Sequence, residues 1–72
     1  MSNTVLLKSA IERSGYKLSY LASKIGITPY SLTKKINNVT EFKSGEIKEL
    51  CSILNIKGDE IQEYFFADVV EE

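Results

Sequence analysis

Nine lysines and arginines, ten carboxylates, a lone cysteine and no histidine are the groups with which this 72-residue chain could do chemistry. Without histidine it lacks the commonest general base and the commonest metal ligand. Cys51 alone can make neither an intrachain disulfide nor a multi-cysteine metal site. It falls in the apolar stripe Ile47, Leu50, Leu54, so an inert buried thiol is expected rather than a nucleophile. Ser9 and Ser14 have no partner to activate them, and Glu60 and Glu63 read as a solvated helix face rather than a catalytic pair. No catalytic residue, metal or cofactor is therefore expected, and the chain is not read as an enzyme.

The cations carry more information than the carboxylates. Residues 1–43 hold seven basic residues against Glu12 and Glu41, a net charge of +5. Residues 44–72 hold Lys48 and Lys57 against eight acidic residues, a net charge of −6. The overall −1 thus hides one basic end and one acidic end, and a local basic patch is what phosphate binding requires. Lys34-Lys35 is the densest part of the basic half. On its own that pair could equally be a solvated helix face.

The elements that must position these groups are short helices. Apolar residues recur at steps of three and four, which predicts five helices over 4–14, 18–25, 29–37, 45–54 and 59–66, in a single domain spanning 1–72. Asn3 or Thr4 can cap the first helix and Gly15 stops it, with Tyr16 placed for a closing apolar contact. Leu18, Leu21, Ala22 and Ile25 line the second, which Gly26 ends. Thr28 is a good N-cap for the third, with Pro29 at the first helical position, where the missing N–H costs nothing. Leu32 and Ile36 form its stripe, and Asn37-Asn38 leads into a loop in which Phe42 is expected to be core. Ser44 is expected to cap the fourth helix. Ile61, Tyr64 and Phe65 point inward from the fifth, and residues 67–72 are expected to be loose. No apolar run approaches the ~20 residues of a membrane span, and no signal peptide is legible, so a cytoplasmic protein is the default.

The stretch from Leu21 to Leu32 is the most specific. Two helices meet there across Gly26-Ile27-Thr28. Close approach of the helices calls for a small residue, which Ala22 supplies, and the tight reversal calls for Gly26. Leu21, Ile25, Ile27 and Leu32 then form the wedge that fixes the angle. This pattern resembles the Cro and CI repressor type (XRE-like) of helix-turn-helix regulator found in phages and prophages. The likeness extends along the chain, with one helix before the motif and two after it. The Thr40-Glu41-Phe42-Lys43-Ser44 segment is similar to small prophage regulators of Gram-positive bacteria. Two positions depart from the pattern. Leu18 stands where many relatives have a phosphate-binding glutamine. Lys35 stands where an apolar residue is usual, and Ile36 is expected to take over its buried role.

The resemblance implies a five-helix domain that binds double-stranded operator DNA and regulates transcription. It assigns Pro29, Tyr30, Thr33 and Lys34 to base edges, and Lys17, Ser19, Ser31, Lys35, Asn37, Asn38 and Lys43 to the phosphate backbone. It also implies a homodimer on a palindromic site. Tyr64, Phe65, Phe66 and Val69 on the acidic side are the expected dimer contact. The alternatives are an antitoxin-type autoregulator of the same fold and a helical interaction module without DNA binding, the latter favoured by Leu18 and the acidic second half.

Overall fold

The computed structural model describes residues 1–66. Among them the chain forms five α-helices and no strand: α1 (Thr4–Ser14), α2 (Leu18–Ile25), α3 (Pro29–Ile36), α4 (Ser44–Leu54) and α5 (Ile61–Phe65). The all-α, five-helix architecture is thus as expected. No described helix is long and apolar enough to cross a membrane.

Local chemistry sets most of the helix ends. The Asn3 side chain accepts the Leu6 N–H, so Asn3 rather than Thr4 caps α1. Gly15 stops α1 at φ 78° and Gly26 stops α2 at φ 83°, both in the left-handed region where a side chain would be strained. After α2 the Ile27 N–H donates to the Ala22 carbonyl and the Gly26 N–H to that of Ser23, the paired bonds of a Schellman turn. Thr28 then starts α3 at once, its hydroxyl accepting the Ser31 N–H at 3.1 Å, with Pro29 at the first helical position. α2 and α3 pack directly against each other across this Gly26-Ile27-Thr28 connection.

Two exits use asparagine where glycine is the usual choice. α3 ends one residue earlier than the periodicity predicts, with Asn38 at φ 65° and the Val39 N–H donating to the Lys34 carbonyl at 2.8 Å. α4 ends the same way on Asn55, φ 59°, with the Ile56 N–H on the Cys51 carbonyl. This turn drops Ile56 into the core, which helical periodicity could not foresee because Ile56 lies beyond the helix. The start of α4 also differs from expectation. Ser44 is its first residue and Lys43 its cap, and the Glu46 carboxylate accepts the Lys43 N–H at 2.9 Å. α5 is shorter than predicted because a turn fastened by Lys57 and Glu60 occupies residues 57–60.

Leu7, Leu21, Leu32 and Leu50, one from each of the first four helices, are fully buried and form the centre of the core. Ala10, Ala22, Ile36, Cys51, Ile56, Tyr64 and Phe65 complete it. Burying each such side chain is worth about 1.5–3 kcal/mol. Phe42 packs edge-on against Phe65, ring centroids 5.4 Å apart, and so closes the long α3–α4 connection over the core. The expectation that Tyr16 closes α1 is not met: its ring stays half exposed and stacks on Tyr20 instead.

Candidate nucleic-acid interface

α3 turns Leu32, Lys35 and Ile36 inward. The 3.6-residue period then leaves Pro29, Tyr30 and Thr33 on the solvent side, all exposed, with Lys34 at the margin. Tyr30, 74% exposed, is among the most exposed large side chains of the chain. Lys34 lies one turn further on and places its ammonium 5.2 Å from the centre of the Tyr30 ring, a cation–π contact that joins the two into one feature. The four residues assigned to base edges are therefore neighbours on one helix surface and none of them is core. Such a surface offers a hydroxyl, an ammonium and an apolar edge, the kinds of group that meet base edges in a groove.

The seven residues assigned to the phosphate backbone divide. Lys17, Ser19, Asn37 and Lys43 are exposed, and Ser31 is half-buried in the first turn of α3. Lys17 and Lys43 are the residues immediately before α2 and α4. Lys35 is a correction: it is only 7% exposed, its ammonium donates to the Glu41 carbonyl at 3.0 Å, and it pairs with Glu46 at 3.0 Å. Its charge is spent inside the protein and does not reach solvent. Lys35 and Ile36 both occupy the buried face, because positions three and four after Leu32 lie on the same side of a helix. Asn38 is exposed, with its side chain engaged by the N-terminal segment. Its side chain accepts the Ser2 N–H and donates to the Ser2 carbonyl and the Thr4 hydroxyl, so it holds the N-terminus.

Burial alone would raise the Glu46 pKa, but the Lys43 N–H and the bond and charge of Lys35 outweigh it and hold the carboxyl below its ordinary value. The Cys51 thiol is pushed up by burial, as suits an inert core group.

Of the residues assigned to a dimer contact, Tyr64 and Phe65 are corrections. Both are buried in the chain's own core, Tyr64 with its hydroxyl 3.5 Å from Arg13. Phe66 is 45% exposed beside a cavity of about 160 Å³ that Phe42, Ile47 and Asn38 also line. Val69 lies outside the described residues.

Two features escaped the sequence reading. Tyr16, just before α2, and Tyr20 and Lys24 on it follow one another at steps of four, with the tyrosine rings stacked at 5.0 Å and the Lys24 ammonium 5.9 Å from the Tyr20 ring. The i, i+4 spacing was the available signal. A groove of about 430 Å³ also opens where α1, α2 and α3 meet, floored by Ile11, Leu18 and Ile36 and rimmed by Lys8, Glu12, Thr33 and Asn37. It needs three helices to form, and no single stretch of sequence announces it.

The fold and this surface define a small all-α domain whose third helix packs on the second and displays a polar, partly basic face. The chain belongs to the DUF739 family, described as proteins of unknown function, whose model matches residues 4–68. No curated protein and no solved structure matches the chain.

Proposed function

We propose that this protein binds double-stranded DNA in a sequence-dependent manner, with α3 in the major groove, and regulates transcription in the manner of a Cro-like prophage regulator. The observation that carries the reading is the outer face of α3. Pro29, Tyr30, Thr33 and Lys34 lie together on it, on a helix locked to α2 by a three-residue connection. Helix-turn-helix modules bind by laying such an outer helix face in the major groove, and this face supports that reading. Lys17, Ser19, Asn37 and Lys43 flank it as phosphate contacts, and the basic first half of the chain supplies the long-range attraction.

One such helix reads only a few base pairs, which is too few to single out a site. A two-fold dimer on a palindromic site meets that need, with Phe66 as the contact that remains available. The cytoplasm is the compartment this activity requires. Enrichment of bound sequences from a random duplex library tests the reading directly, and a recurring palindrome is the expected result. Lys34→Ala should weaken the selected site by about 1–3 kcal/mol and relax preference at one base pair. Binding that is absent, or indifferent to both salt and sequence, would overturn the proposal.

A further inference from the structure

An ammonium held inside so small a domain is costly unless it serves some end beyond stability. Lys35 is nine-tenths buried, and the carboxylate facing it is nearly as enclosed. Replacing such a pair by apolar groups of similar volume is commonly neutral or stabilising. A methionine would suit the Leu32/Ile36 face of α3 well. Stability is thus a weak reason for the pair, and its geometry points to a different role. A single oxygen, Glu46 Oε1, takes the Lys35 ammonium at 3.0 Å and the Lys43 backbone N–H at 2.9 Å. The end of α3 and the cap of α4 are thereby fastened through one atom. Residues 37–41 between them are exposed and add no apolar anchor of their own, so the connection is held by this bond, the Lys35 bond to the Glu41 carbonyl, the Asn38 bonds to Ser2 and Thr4, and the packing of Phe42.

Lys34 is the direct neighbour of Lys35, and Lys43 is the residue whose backbone Glu46 holds. We propose that Lys35 and Glu46 are positioning residues for the DNA interface. They set the distance between the α3 surface and Lys43, so that Lys43 already stands at a phosphate when α3 meets the base edges. This rests on the DNA-binding reading above. Neither residue touches DNA; both act through the placement of Lys43.

The test is a double-mutant cycle on the full chain, read as the salt dependence of binding to random-sequence duplex DNA. Lys43→Ala should flatten the slope of log K against log salt by about 0.9, the loss of one phosphate contact. The Lys35→Met/Glu46→Gln variant leaves no unpaired charge and keeps an acceptor for the Lys43 N–H. It should melt cooperatively near the wild-type temperature yet show the same flattened slope, and adding Lys43→Ala to it should change nothing further. If Lys43→Ala costs the same in both backgrounds, the pair is merely structural and the proposal is overturned. Should the double variant not fold, Lys35→Met alone carries the same cycle, since it cuts the α3 side of the link and leaves Glu46 on the Lys43 N–H. Additivity with wild-type binding intact removes this inference only, whereas a wild-type chain that does not bind duplex DNA removes the functional reading as well.

Discussion

The two ends of α3 are made from similar residues and do opposite things. The N-terminal end and outer face put Pro29, Tyr30, Thr33 and Lys34 toward solvent and use only the Thr28 hydroxyl as an internal fastening. The C-terminal end is instead tied to the rest of the chain through Lys35, Asn38 and the Ile36 carbonyl. Lys35 serves the Glu41 carbonyl and Glu46, Asn38 grips Ser2 and Thr4, and the Thr4 hydroxyl donates to the Ile36 carbonyl at 2.7 Å. One end is display and the other is anchorage. A rigid display requires that one end be held, because a surface that must meet a fixed pattern of groups loses affinity to any disorder in its support.

The largest effect should come from cutting the anchorage where it is buried. Lys35→Ala leaves Glu46 enclosed without its partner, and such breaks cost about 3–5 kcal/mol. Chemical denaturation reads it, and an unchanged midpoint would mean that the pair is exposed to solvent after all. Leu32→Ala, on the same inward face, should cost about 2–5 kcal/mol by leaving a cavity at the centre of the core. Thr4→Val removes two hydrogen bonds from the anchorage, the one given to the Ile36 carbonyl and the one taken from Asn38, and should cost about 1–2 kcal/mol. On the display side, Tyr30→Ala should leave stability within about 0.5 kcal/mol, as exposed positions do. A large loss of stability there would erase the distinction between the two ends.

Acid should act on the anchorage through Glu46. The Glu46 carboxyl sits below its ordinary value of 4.5 in the folded chain. A group depressed on folding contributes stability that is complete above its unfolded value and is lost as pH falls through the folded one. Stability should therefore decline below about pH 4.5, and less steeply in Glu46→Gln than in the wild type. Parallel pH profiles for the two proteins would contradict this.

What the sequence makes legible follows the same division. Helix starts and stops governed by local chemistry are readable, because Gly15, Gly26 and Thr28-Pro29 act within a few residues of themselves. The outer face of α3 follows from periodicity once Leu32 and Ile36 fix the inner one. The fates of Lys35 and Asn38 are not readable, since their partners sit on α4 and at the N-terminus, and nothing in a lysine or an asparagine announces a distant partner. Tyr64 and Phe65 mislead for a related reason. Their apolar area looks surplus until Phe42 folds back from the α3–α4 connection to meet Phe65.

Cys51 gives the molecule a built-in clock. Its sulfur is enclosed by the core and its thiolate is disfavoured there, so a thiol reagent in solution finds it only when the structure opens. With a single cysteine in the sequence, the modification rate has one source and needs no deconvolution. At saturating reagent that rate becomes the opening rate itself, measurable in the unaltered chain without dye or engineered probe. Because α4 carries Cys51 across the core from α2, the same readout would register whatever tightens or loosens the scaffold beneath α3, bound DNA included.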